Sequence, residues 1–158
     1  MSTTAWPLVI YYDASCPLCR EEMHALKDFD AHSLLELRDA SAAGFTDPQL
    51  SQAGIAQADL MRLIHARDSA GQWYRGVEVF ERAYRAAGLE AVAAVWAQPR
   101  LRPVWDRLYP WVARFRQPLS RLHLNRLYGW LVRRAARRAQ EKSRACAEGR
   151  CELPPPLP

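Results

Sequence analysis

Leu8-Val9-Ile10-Tyr11-Tyr12 is an unbroken apolar and aromatic run held between Pro7 and Asp13, and it predicts a buried strand. From Pro17 the period changes. Cys19, Met23 and Leu26 recur on one helical face, and Pro17 suits a first helical turn, where its missing N–H costs nothing. This helix should fade between Asp28 and His32. Leu34-Leu35-Glu36-Leu37-Arg38 predicts a second, weaker strand, and a strand–helix–strand unit of this length calls for a right-handed crossover with parallel pairing.

Gly44 to Asp59 is rich in Gly, Pro, Gln and Asp and predicts a loop, with at most one short helical turn after Asp47 or Ala56. Met61 to Arg67 and Gln72 to Arg75 flank Asp68-Ser69-Ala70-Gly71, which predicts an antiparallel hairpin. After Gly76, the positions Val77, Phe80, Ala83, Tyr84 and Ala87 follow helical spacing, and Gly88 suits a helix C-cap. The order is thus β, α, β, loop, β, β, α. Beyond Gly88, Trp, Tyr, Leu and Arg interleave, and Pro99, Pro103, Pro110 and Pro118 are expected to cut the segment into short helices. Leu124, Leu127, Leu131 and Ala135 mark a last long helix. From about Arg144 the chain runs into Leu153-Pro154-Pro155-Pro156-Leu157-Pro158 and predicts an extended tail. Three parts are expected: residues 1–90 with the mixed sheet, 91–143 as a basic helical extension, and 144–158 as a tail bearing Cys and Pro.

At 158 residues the chain can bury a core without disulfide staples, so its 4 cysteines are available for chemistry. Met1 to Pro7 carries no Lys or Arg, and the apolar run from Trp6 to Tyr12 stops at Asp13, unlike an export signal. No stretch approaches the roughly 20 apolar residues that span a bilayer. The expected compartment is the cytoplasm, where thiols stay reduced and a cysteine pair is more often catalytic or metal-binding than structural. The net charge of +5 is unevenly placed. Through Trp96 there are 13 acidic and 8 basic residues; from Ala97 onward there are 4 acidic and 14 basic.

The candidate chemistry lies at Cys16-Pro17-Leu18-Cys19, where the first strand gives way to the first helix. Unpaired N–H groups and the positive dipole end at a helix start lower a thiol's pKa from about 8.5. Cys16, at the helix start and expected nearer solvent, is the candidate nucleophile; Cys19, one turn in, is the candidate resolving thiol. Asp13 opposes thiolate formation by like charge, yet is placed to take a proton from Cys19 as it attacks a mixed disulfide. Its alternative role is to bind backbone N–H groups of the following turn. Arg20 occupies the position where c-type haem attachment requires histidine, which excludes that reading. Cys16, Cys19, Cys146 and Cys151 supply the four thiolates of a structural zinc site, so a zinc-binding structural protein is one alternative. Cys146 and Cys151 could otherwise form a local disulfide or exchange electrons with Cys16. The arginines interleaved with Trp105, Trp111 and Trp130 raise another alternative, a module that binds anionic membrane or nucleic acid. Against it stands packing of the apolar stripe on the sheet domain, with the arginines facing water. His24, His32, His65 and His123 show no ligand-like spacing.

The element order with Cys-Pro-x-Cys at the first strand–helix junction resembles the thioredoxin fold, and within it the glutaredoxin motif. Tyr11-Tyr12-Asp13-Ala14-Ser15-Cys16-Pro17-Leu18-Cys19 is closer to the Asp-x-x-Cys-x-x-Cys signature of the DCC family. Tyr74-Arg75-Gly76 leading into Val77-Glu78-Val79-Phe80, and a basic helix followed by Cys146 and Cys151, extend the resemblance over most of the chain. It implies an α/β fold, a thioredoxin-like four-stranded mixed sheet with a C-terminal helical extension. It also implies thiol-disulfide oxidoreductase activity on a protein or small-molecule thiol or disulfide, with no metal or other cofactor at the site. Two departures stand out. Ala14-Ser15 replaces the Gly-Asp of many members, and Ala58-Asp59-Leu60 lacks the proline that thioredoxins place before their third strand.

Overall fold

The computed structural model describes residues 4–121 and, beyond them, residues 130, 134, 137 and 138. Strands β1 (Leu8–Tyr12), β2 (Leu35–Asp39), β3 (His65–Arg67) and β4 (Trp73–Arg75) form one sheet in the order β2-β1-β3-β4. β1 runs parallel to β2, with Leu8 opposite Leu35 and Tyr12 opposite Asp39, and antiparallel to β3, which pairs antiparallel with β4. Helix α1 (Pro17–Phe29) links the parallel pair, and α2 (Pro48–Ala53) and α3 (Gln57–Arg62) precede β3. Helices α4 (Val77–Ala86), α5 (Glu90–Ala97) and α6 (Arg102–Arg121) follow the hairpin. This is an α/β thioredoxin-like architecture.

The unbroken apolar character of β1 follows from its central position, because both of its faces are covered. Leu8, Ile10 and Tyr12 pack with Met23 and Leu26 of α1 and with Phe80, Ala83 and Tyr84 of α4. Tyr11, on the other face, packs with Leu50 of α2, Leu60 of α3 and Trp73. The Tyr11 hydroxyl donates to Asp47 at 2.9 Å, and burial together with that carboxylate pushes its pKa up to about 12.

Three expectations are corrected. The Gly44 to Asp59 stretch holds two helices rather than one turn: Asp47 caps α2 by accepting the Gln49 N–H at 2.8 Å, Pro48 fills its first turn, and Gly54 ends it at φ +67°. Met61 and Arg62 close α3 and do not belong to the hairpin strand. The prolines do not cut α6, which continues through Pro103 and Pro110. Pro103 lies in the first turn, where no N–H is needed, and the helix carries the interior hydrogen bonds lost at Pro110 and Pro118, helped by the packing of its inner face. Phe80 stacks on Trp96 at 5.4 Å and meets Tyr109 edge-on at 5.5 Å, while Trp96 lies 5.0 Å from Trp105. This aromatic row fastens α5 and α6 to α4. Leu124, Leu127, Leu131 and Ala135, which mark the expected last helix, and the tail from Arg144 lie outside the residues described.

Candidate active site

The end of β1 shapes the dithiol loop through hydrogen bonds that begin at Asp13. Its carboxylate is 4% exposed and accepts the Ser15 N–H at 3.0 Å and the Ser15 hydroxyl at 2.5 Å. The Cys16 N–H in turn donates to the Asp13 carbonyl at 3.3 Å, closing a turn. Cys16 is the N-cap of α1, in extended conformation at φ −86°, with Pro17 next and the Arg20 N–H bonded to the Cys16 carbonyl at 3.0 Å. Cys19 sits one turn into the helix. The first turn contains no acidic side chain, so nothing there offsets the helix dipole.

A second anchor comes from the neighbouring strand. Asp39 Oδ1 accepts the Ala14 N–H at 3.2 Å, the Ser41 N–H at 2.8 Å and the Ser41 hydroxyl at 2.6 Å, and the Ser41 hydroxyl accepts the Ser15 N–H at 3.2 Å. Burial raises the Asp39 carboxyl, but the Ser41 and Ala14 donors outweigh it and hold the group below the usual carboxylate range. The loop before Cys16 is thereby tied to the ends of both parallel strands. Sequence reasoning missed Asp39 and Ser41, since only the β1–β2 register, with Tyr12 opposite Asp39, brings them to the loop. Ser15, which stands where many members have Asp, donates its hydroxyl to Asp13, a bond that an ionised carboxylate at that position could not donate.

The two thiols face different surroundings, and not as expected. Cys16 is fully buried at 0% exposure, whereas Cys19 is partly exposed. Helix α1 places Cys19 at the wall of a small pocket. Asp13, Cys19, Glu22, Ile64, Phe80 and Tyr109 line that pocket, so Asp13 and the second cysteine border one enclosure. Ala58-Asp59-Leu60, expected to precede the third strand, lies within α3; the residue immediately before β3 is Ile64, also not a proline, and it forms part of the wall next to Cys19. Tyr12 also lines the pocket; burial and the nearby Asp39 raise its pKa, so it stands there as a neutral hydroxyl, 3.4 Å from His24 Nε2. Tyr109 further borders an open cleft of about 520 Å³ with Arg75, Glu78 and Asp106. Arg20 is exposed. Cys146 and Cys151, half of the alternative zinc set, lie outside the described residues, among which no three His, Cys, Asp or Glu side chains cluster as a metal site would require.

Sheet order and a Cys-x-x-Cys at the first helix start define a thioredoxin-like protein with a dithiol site. A sequence profile of the DCC1-like thiol-disulfide oxidoreductases matches residues 10–122, and the chain belongs to that family. It is also 30% identical over 112 residues to an uncharacterized chloroplastic protein of Arabidopsis thaliana, covering 70% of this chain and 51% of the relative. The chain therefore spans about half the length of that curated relative. No solved structure matches it. Among the described residues no helix is long and apolar enough to cross a membrane.

Proposed function

We propose that the protein exchanges disulfides through Cys16 and Cys19, with Cys16 attacking and Cys19 resolving. The observation that carries this reading is the N-cap placement of Cys16, with Cys19 one turn on beside Asp13 in a shared pocket. Attack by the Cys16 thiolate on a substrate disulfide forms a mixed disulfide and releases one substrate thiolate. Cys19 then passes its proton toward Asp13 and attacks Cys16 Sγ, forming the Cys16–Cys19 disulfide and expelling the second substrate thiolate, which takes up that proton directly or through water. The substrate is reduced by two electrons and the protein oxidised by two. The reverse sequence oxidises a dithiol. Since Cys16 is buried, productive attack requires the Asp13 to Ser15 loop to yield locally. The reading assigns the reaction to a compartment that keeps thiols reduced, such as the cytoplasm.

The test is trapping with an activated aromatic disulfide followed by mass spectrometry. Cys19→Ser should accumulate the mixed disulfide on Cys16, and Cys16→Ser should lose exchange. Accumulation on Cys19 in the Cys16→Ser variant, at the wild-type rate of attack, would reverse the two roles.

A further inference from the structure

Helix α6 presents two chemically different faces. Trp105 and Tyr109 turn inward to the aromatic row on α4 and α5. Val104, Leu108, Trp111 and Phe115 recur at spacings of four, three and four residues, which aligns them in one stripe, and they are 54, 44, 62 and 38% exposed. Trp111 and Phe115 rest against each other at 4.5 Å within this stripe. Arg107 and Arg114, seven residues apart and both exposed, flank it on one side. Farther along, Trp130 is 50% exposed with the Arg134 guanidinium 5.0 Å over its ring. From Ala97 to Gln140 the sequence holds eleven arginines and a single acidic residue, Asp106.

A second copy of the chain is a poor occupant for this stripe, because antiparallel pairing along the seam would oppose arginine to arginine at the flanking positions. A nucleic acid would satisfy the arginines but gives an aliphatic and aromatic stripe nothing to bury into. An anionic bilayer surface satisfies both, since the apolar face enters the headgroup boundary, the rings sit at its level and the arginines meet lipid phosphates and acidic headgroups. We propose that the outer face of α6 is a docking surface for anionic membranes, holding the protein peripherally along the Val104–Phe115 stripe. This proposal stands independently of the redox reading.

The experiment uses the full chain with vesicles of phosphatidylcholine alone or with about one third phosphatidylglycerol, read by sedimentation and by quenching of tryptophan with brominated acyl chains. Binding and quenching are expected on the anionic vesicles, with at least tenfold weaker partitioning on the neutral ones. Arg107→Gln with Arg114→Gln should lower anionic binding by about 25-fold, from a factor of roughly five per arginine near the surface. Trp111→Ser with Phe115→Ser, both exposed and so tolerated by the fold, should abolish the quenching while leaving the circular dichroism spectrum unchanged. Equal binding to neutral and anionic vesicles, or no binding, overturns the proposal. So does binding to an oligonucleotide that the Trp111 and Phe115 changes leave intact, or a concentration-dependent dimer that those changes dissociate.

Discussion

Replacing Asp13 by Asn isolates what the buried carboxylate contributes, because the amide keeps the shape and one acceptor oxygen but cannot take a proton. In the native loop Asp13 accepts from the Ser15 N–H at 3.0 Å and the Ser15 hydroxyl at 2.5 Å, with 4% exposure. Hydrogen bonds to a charged acceptor are worth about 1.5–3 kcal/mol net, against about 0.5–1.5 for neutral ones, so the change should destabilise the fold by about 1–2 kcal/mol. A protein that folds normally at 25 °C survives that loss, which leaves the kinetics readable. If Asp13 takes the Cys19 proton, resolution of a Cys16 mixed disulfide should slow by about 10²–10⁴, the usual range for losing a positioned base. Formation of the mixed disulfide, which needs no proton from Cys19, should change by less than about threefold. Stopped-flow single-turnover measurements resolve the two steps, and Ser15→Ala serves as the control that loosens the loop without removing the carboxylate. Equal slowing of both steps, matched by Ser15→Ala, would show that Asp13 only shapes the turn.

Two further predictions concern the nucleophile and the scaffold. On the Cys19→Ser variant, the pH midpoint for alkylation of Cys16 should lie below about 8.5, because the helix start acts on its thiolate; a midpoint at or above that value would mean burial prevails and Cys16 is not activated. Asp30 has a fully buried side chain that accepts the Leu34 N–H at 2.7 Å, the Leu35 N–H at 2.9 Å and the Lys27 ammonium at 2.8 Å. Burial raises its carboxyl, but Lys27 and the two N–H groups outweigh this and lower its pKa. Asp30→Ala should therefore cost about 2–4 kcal/mol in urea unfolding at pH 7, and the cost should shrink as the pH falls through the lowered pKa, since a depressed carboxylate stabilises in full above its unfolded value near 3.9 and loses that contribution on the way down through its folded one. A cost independent of pH down to 2 would refute the assignment.

Much of the fold is legible in the sequence because each element carries its own local signal. The run Leu8 to Tyr12, the Pro17 helix start and the Gly88 cap, at φ +71° in the structure, are of this kind. The Asp47-Pro48 pair was equally legible as a helix start, but the polar composition around it masked α2 and α3. In α6 the reverse holds: Pro103 and Pro110 read as breakers, and tertiary packing through Trp105 and Tyr109 overrides them. At the site, the positions of Cys16 and Cys19 on α1 follow from spacing alone. Their relative burial does not, since it is set by tertiary packing, and the anchoring of the loop by Asp39 and Ser41 arises from strand register.

The central claim, a dithiol that cycles through one disulfide, is tested most directly by titrating the full chain in glutathione buffers of graded poise and counting Cys16 and Cys19 thiols by differential alkylation. The account predicts a single reversible two-electron transition in which both cysteines oxidise together, with a midpoint between about −270 and −120 mV. Independent oxidation of the two cysteines, or persistence of both thiols across that whole range, would contradict it.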